Sequence, residues 1–287
     1  MATTYSLHTI HNATEFGFSP ADYSRFKFGD EAVAEKFGAS LAEGFIQHQL
    51  RGNPIRQQLV VVSSPYAFIP TATFAMKNHF VFRLNKWLAG NGYPVVQETK
   101  VHRTITYKDD YGELDAEQRI NLIGNDHFHI DSAFLLGKTV LFLDDIKITG
   151  SHERMIMKMV QAHNLANDIF MLYFAELANK AIHPNIENYL NYYSVKSIVD
   201  LSDIIQNDRF FINTRIVKYI LNYPFEAFCI FLKNQSAAFI NQLYNMALGN
   251  SYHTIDAYAQ NLTFIRHYLD KQTACNTDAQ NLYHTAV

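Results

Sequence analysis

Apolar positions along the chain change period several times, and each change marks an element. From Asp30 to about Leu50 the residues Val33, Phe37, Leu41 and Phe45 recur at i+4, with Ala34, Ala42 and Ile46 beside them. This spacing predicts an amphipathic helix, and Arg51-Gly52-Asn53-Pro54 ends it. Leu59-Val60-Val61-Val62 is then a continuous β-branched run, the pattern of a parallel strand covered on both faces. After Ser63 to Pro70, Thr71 or Thr73 can cap a helix carrying Phe74, Phe80, Val81, Leu84, Trp87 and Leu88, which Gly90-Asn91-Gly92 stops. Tyr93 to Val96 reads as a second strand. Thr139 to Leu143 and Asp168 to Phe174 read as two more, joined by a helix with Met155, Ile156, Met159 and Val160, which makes a βαβ unit. Between them and the second strand, Glu98 to Asp131 is polar and charged, as lids in α/β domains are. Beyond about Asn179 the pattern is helical and aromatic, with Val195 to Leu201 open as one more strand.

The expected organisation is a helical N-terminal segment over 1–56, an α/β core over 57–178 and a mainly helical C-terminal subdomain over 179–287. At 287 residues the chain is long enough for such a core, and 48% hydrophobic against 18% charged residues places it among globular proteins. Lys+Arg 24 against Asp+Glu 27 leaves a net charge of -3, so no general electrostatic pull towards nucleic acid or an anionic membrane is expected. An anionic ligand has to be held locally. The longest apolar run, Ile169 to Ala175, falls far short of the ~20 residues that span a bilayer. The first residues show no basic then apolar signal pattern, and Cys229 and Cys275 are too few for a disulfide framework, so a cytoplasmic location is expected.

The segment richest in chemistry is Leu141-Phe-Leu-Asp144-Asp145-Ile-Lys147-Ile148-Thr149-Gly150-Ser151-His152: a buried strand, two carboxylates, a hydroxyl-glycine-hydroxyl turn, then a helix. Ligands of open parallel sheets bind at the carboxyl ends of strands, and a helix N-terminus offers N–H groups and a positive dipole end to phosphate. Thr149 and Ser151 add hydroxyl donors, and Gly150 lets the backbone approach a ligand closely. Carboxylates beside such an anion cup repel phosphate. They suit sugar hydroxyls or a hydrated cation.

LFLDDIKITGSH resembles the signature of type I phosphoribosyltransferases, and the resemblance covers roughly Leu59 to Leu177. It implies a phosphoribosyltransferase-like three-layer α/β fold with a mostly parallel central sheet, plus the helical C-terminal subdomain. The implied activity is that of a glycosyltransferase (a pentosyltransferase) of nucleotide metabolism. It moves the 5-phosphoribosyl group of 5-phosphoribosyl-1-pyrophosphate (PRPP) to a nitrogenous base and releases pyrophosphate, with Mg2+ as cofactor and a homodimer as the family habit. Carried over by position, the resemblance assigns Asp144 and Asp145 to the ribose hydroxyls and Ile148, Thr149, Gly150 and Ser151 to the 5-phosphate, with His152 either a phosphate contact or a first-turn helix residue. Ser63 and Ser64 fall at the short pyrophosphate loop, although that loop's usual glycine or basic residue is missing. The polar excursion resembles the catalytic lid. Of its cations, Lys100 and Arg103 lie nearest the preceding strand and rank ahead of Lys108 and Arg119 for neutralising the leaving pyrophosphate. Members acting on 6-oxopurines carry an acidic residue where this chain has Ile148, which disfavours hypoxanthine and guanine. The aromatic C-terminal region or Tyr23 to Asp30 can supply a hood over the base. The segments FKFGD and TGSHE also resemble uncharacterised phosphoribosyltransferases found with bacterial stress and tellurite-resistance gene clusters.

Other chemistries are weaker. The haloacid-dehalogenase nucleophile pattern fails at Ile146 and Lys147, and no Walker A sequence is present. A PRPP-binding regulator without catalysis is one alternative function. Another is a metal-dependent hydrolase built on His127, His129 and Asp131, whose residue types are ordinary zinc or iron ligands.

Overall fold

The computed structural model describes residues 2–103 and 128–284, with the side chains of 103, 128–129 and 272–284 left aside. Six strands form one sheet: β1 (Ala2–Ile10), β2 (Leu59–Tyr66), β3 (Gln97–Arg103), β4 (Phe128–His129), β5 (Thr139–Lys147) and β6 (Ile169–Leu177), in the order β1-β6-β5-β2-β3-β4. The first five in that order run parallel, and the two-residue β4 is antiparallel to β3. The protein is therefore α/β, as its sequence predicts. Successive residues of β2 and β5 serve opposite faces. Val61, Leu141 and Leu143 pack under α2 (Glu31–Phe45) and α3 (Ala72–Gly90). Val60, Val62, Val140 and Phe142 pack against Ile156, Met159 and Val160 of the 12-residue helix Ser151–Ala162.

On the first face α1 (Pro20–Lys27) joins α2 and α3. Ser19 caps α1 by accepting from the Asp22 N–H, and Asp30 caps α2 by accepting from the Val33 N–H. Gly38 sets the spacing of α2 on α3, since a Cβ there would lie 2.3 Å from the Met76 carbonyl oxygen. Phe37 stacks on Phe174 of β6 with ring centroids 4.0 Å apart, tying α2 to the sheet.

On the remainder of the chain, α4 (Ser132–Leu135) precedes β5 and α5 is the helix Ser151–Ala162. Helices α6 (Ile186–Asn191), α7 (Ser202–Ile205), α8 (Thr214–Leu221), α9 (Phe225–Lys233), α10 (Ala237–Gly249) and α11 (Asp256–His284) follow β6. From Val195 onward their buried residues form a separate core that also takes in Phe28 and Ile69. Asn250 fastens this region to the segment after β2, its side-chain oxygen accepting from the Phe68 and Ile69 N–H groups at 2.9 and 3.0 Å. Among the described residues no helix is long and apolar enough to cross a membrane.

Three expectations need correction. The 1–56 segment is not wholly helical, because residues 2–10 form the edge strand β1 paired with β6, with Tyr5 and Leu7 packed on the core and Ile10 fully buried. The strand expected over Tyr93 to Val96 instead begins at Gln97, directly after it, and runs to Arg103. Its polar sequence hid it, while Val96 is buried on the approach. Val195 to Leu201 is not a strand: a capping box between Ser197 and Asp200 starts a 3-10 turn over Ile198–Leu201.

Candidate functional site

The chain steps from β2 to β3 on one side and returns to β5 on the other, so the sheet's switch point lies between β2 and β5. Open parallel sheets bind ligands at the carboxyl ends of strands at such a point. Ser63 pairs in register with Leu143 of β5 and with Lys100 of β3, and is buried. One residue further, the Ser64 hydroxyl donates to Asp144 Oδ1 at 2.8 Å across the switch point.

Strand β5 continues through both carboxylates to Lys147; Asp144 and Asp145 turn towards opposite faces yet stay adjacent, since the Thr73 hydroxyl lies within 3.4 Å of Asp144 Oδ1 as well as close to Asp145. Asp144 shares the face of α5, where Oδ2 meets His152 Nδ1 at 2.5 Å. Its Oδ1 also accepts from the Asp145 N–H at 3.0 Å. Asp145 faces α1 and α3. Its Oδ2 accepts from the Tyr23 hydroxyl at 2.6 Å and from the Lys27 ammonium, and its Oδ1 accepts from the Thr73 hydroxyl at 3.2 Å.

Burial by itself would raise the Asp144 carboxyl, but His152, then Ser64 and Lys27, outweigh it and hold the group well below the usual carboxylate range. It is therefore an anion at neutral pH. Burial, followed by the charges of Asp145 and Glu187, pushes the Tyr23 phenol well above its ordinary value, which keeps it a hydrogen-bond donor.

The turn after β5 brings together the groups expected of an anion cup. Gly150 sits at φ 69° and caps α5, a left-handed conformation that favours glycine. Thr149 Oγ1 and Ser151 Oγ lie 2.9 Å apart. The exposed Arg154 guanidinium closes the rim, donating to the Thr149 carbonyl at 2.9 Å and to Ser151 Oγ at 2.8 Å. Ile148, half-buried, packs on the core under α2 and α3. Lys147 is held aside by Glu153 at 2.9 Å and Glu176 at 3.1 Å. Those partners outweigh the cost of burial and raise its ammonium above the ordinary value.

Beyond β2, Lys100 donates to the Ala67 carbonyl at 3.1 Å and lies 4.1 Å over the Tyr66 ring, and burial lowers its ammonium below the ordinary value. Ser63 and Ser64, expected on a loop, lie within β2, which runs on to Tyr66, so Lys100 reaches only the first residue past the strand. Arg103 pairs with Phe128 through the backbone, but its side chain lies outside the described residues, as do Lys108, Arg119 and His127 and the side chain of His129. Asp131 caps α4 by accepting from the Phe134 N–H at 2.9 Å.

The structure thus brings together Asp144, Asp145, Ser64 and His152, with Thr149, Gly150 and Ser151 in the turn that follows β5. It adds four residues to the expected set. Tyr23, Lys27 and Thr73 come from distant helices; the sequence singles out Tyr23 to Asp30 and Thr73 for other roles, and no local signal marks them as partners of the carboxylates. Arg154 had one, a cation four residues after the Gly150 cap on the first turn of a helix. The acidic pair does not suit a resident divalent cation, because the Oδ2 atoms already face Lys27 and His152 nitrogens. Among the described residues no group of three His, Cys, Asp or Glu side chains is arranged to hold a metal.

A family model described as PRTase ComF-like matches residues 1–265. Among solved structures, a hypoxanthine phosphoribosyltransferase from Staphylococcus aureus is similar at 13% identity and a TM-score of 0.30, over 50% of this chain and 74% of that one. The hypoxanthine-guanine phosphoribosyltransferase of L. donovani is similar at 13% identity and a TM-score of 0.30, over 52% and 70%. A Trypanosoma cruzi hypoxanthine phosphoribosyltransferase mutant complexed with IMP is similar at 15% identity and a TM-score of 0.29, over 53% and 80%. No curated protein matches the chain.

Proposed function

Since the chain belongs to the PRTase ComF-like family, we propose that it transfers the 5-phosphoribosyl group of PRPP to a nitrogenous base and releases pyrophosphate. The observation that carries this reading is the pairing of a switch-point carboxylate with an anion cup on one β5-turn-α5 unit. Asp144, anionic and bridged to Ser64, accepts from ribose hydroxyls, and Thr149, Gly150, Ser151 and Arg154 take the 5-phosphate. His152, on Asp144, orients that carboxylate. Asp145 supports the arrangement from the opposite face.

In the proposed reaction the C1–O bond to pyrophosphate breaks with its electron pair leaving on pyrophosphate. The lone pair of the base nitrogen forms the C1–N bond, and that nitrogen then yields its proton to water. The chain's own contribution is to position the ribose and phosphate and to stabilise the departing charge. Lys100, on β3 with its ammonium at the Ala67 carbonyl just past β2, is suited to the second task, and Arg103 is proposed beside it. Mg2+ enters as the counter-ion of the PRPP pyrophosphate, part of the substrate rather than a resident of the protein. Ile148 before the Thr149-Gly150 turn favours a base other than a 6-oxopurine. A homodimer in the cytoplasm belongs to the same proposal.

Titration calorimetry with PRPP, followed by pyrophosphate release over a panel of bases, tests the reading. Saturable PRPP binding that is lost in Gly150→Val, with turnover on at least one base, is the expected result. Wild-type protein that binds no PRPP overturns it. A second reading, a PRPP-binding regulator without transfer, is favoured by one observation: both oxygens of Asp145 are already used by donors from α1 and α3. Binding with no pyrophosphate release on any base would select it.

A further inference from the structure

Asp145 poses an electrostatic problem, and the Lys27 ammonium is the one cation in contact with it among the described residues. It is 7% exposed in its side chain and lies next to a second anionic carboxylate, and its proposed ligand carries a phosphate and a pyrophosphate. A buried carboxylate needs a compensating charge, and two bare ones would repel such a ligand. The compensation comes from α1. Tyr23 and Lys27, one helical turn apart, both reach Oδ2 of Asp145, and the Lys27 side chain is itself only 11% exposed.

Lys27 is also held in place. Its carbonyl accepts from the side chain of the buried Asn213 at 3.2 Å, and the next residue, Phe28, is wholly buried in the helical core. One turn back, the Ser24 hydroxyl donates to the Asn191 carbonyl at 2.8 Å and accepts from the Ser194 N–H at 3.0 Å. Arg25 is tied to Asp30 at 2.9 Å. These contacts anchor α1 to the rest of the fold, so the ammonium is a fixture rather than a surface charge that happens to have folded inward.

We propose that Lys27 is the resident counter-ion of the acidic pair, holding the place a divalent cation would otherwise take, so that the ribose-phosphate half of an anionic ligand binds here without metal. This rests on the phosphoribosyl reading above and assigns Lys27 as a positioning residue for it. Ribose 5-phosphate isolates the effect, because it lacks the pyrophosphate that would carry Mg2+ into the site.

Two measurements on the full chain test the proposal. Titration with Mn2+ alone, followed by electron paramagnetic resonance, should find no tight site at the pair in the wild type and one additional tight site in Lys27→Met. Calorimetry with ribose 5-phosphate should give wild-type affinities within twofold with and without Mg2+. Lys27→Met should bind at least tenfold more weakly without Mg2+ and recover most of the loss with it. Lys27→Met/Asp145→Asn should show neither the Mn2+ site nor the Mg2+ response, and Lys27→Gln carries the same comparison should the Met variant fail to fold. A wild type whose ribose 5-phosphate affinity falls tenfold on removal of Mg2+ overturns the proposal, and so does a Lys27 variant that gains no Mn2+ site. A wild type that binds neither PRPP nor ribose 5-phosphate refutes the transfer reading instead, while the Mn2+ arm still decides the role of Lys27.

Discussion

Replacing Lys27 with Met and Asp145 with Asn, singly and together, measures how strongly α1 is welded to the end of β5. Lys27→Met leaves a buried carboxylate with only the Tyr23 and Thr73 hydroxyls for company. Removing one member of a buried pair costs roughly 3–5 kcal/mol, and the two remaining donors bring the expectation to the lower end, about 3 kcal/mol. Asp145→Asn strands an ammonium that is 11% exposed and keeps an oxygen for Tyr23, so about 2–3 kcal/mol is expected. The double variant removes both charges and should cost only about 1–2 kcal/mol, which gives a coupling of about 3–5 kcal/mol. An exposed pair would show about 0–1 kcal/mol. Trp87, the single tryptophan, lies on α3 and packs on the sheet core, so its fluorescence in a urea titration reports the α/β region separately from the helical core after β6. Additive single variants, with a coupling under about 0.5 kcal/mol, would refute the claim that the pair acts as a buried unit.

Gly150→Val should cost on the order of 1–2 kcal/mol in the turn, because φ 69° is unfavourable for a β-branched residue, and should abolish PRPP binding while the far-ultraviolet circular dichroism is unchanged. Arg154→Ala should weaken ribose 5-phosphate binding by on the order of tenfold or more by calorimetry, with stability within about 0.5 kcal/mol of wild type, since the side chain is exposed. The Asp144 carboxyl titrates lower in the folded chain than in the unfolded one, so its contribution to stability is complete above the unfolded value of about 4 and is lost as pH falls further, through the folded value. Urea titrations from pH 6 down to pH 2.5 should show that loss, and His152→Ala, which removes the main counter-charge, should flatten it.

How far the fold could be read in advance depended on how each element buries its side chains. The strand Leu59 to Val62 and the β5-turn-α5 unit were legible because both faces of a parallel strand demand an unbroken apolar run, and because Gly150 between two hydroxyl residues has few uses other than a left-handed cap. Edge strands carry no such signature. In β1 only Ile10 is fully buried, and β3 reads Gln-Glu-Thr-Lys-Val-His-Arg, which is indistinguishable from a charged loop until β2 and β4 flank it. Within the site, residues next to the acidic pair were found, and Ser64, 80 positions away, was found only through the family resemblance; the partners contributed by helices were not. Lys27 lies 118 positions from Asp145 and Thr73 lies 72. Thr73 was read as a candidate cap, whereas the helix begins one residue earlier and turns that hydroxyl onto the carboxylates. Tyr23 to Asp30 does end in the cap of α2, at Asp30, and also supplies the Lys27 counter-charge to Asp145.

The pairing of β1 with β6 bears on how the molecule is made. Ala2 lies beside Ile169 and Ile10 beside Leu177, so β1 waits during synthesis until β6 has emerged before it has its neighbour in the sheet. At about 5–20 residues per second that delay is on the order of ten seconds or more. Helix α1 shares it, because Tyr23 and Lys27 emerge long before Asp145 does. Until then an ammonium destined for the interior stays in water, and the nascent chain keeps its N-terminal strand uncommitted. Contacts of such long sequence separation slow folding, and a nascent chain arrested before β6 would hold every residue of the anion cup yet leave the first strand of its sheet without a partner.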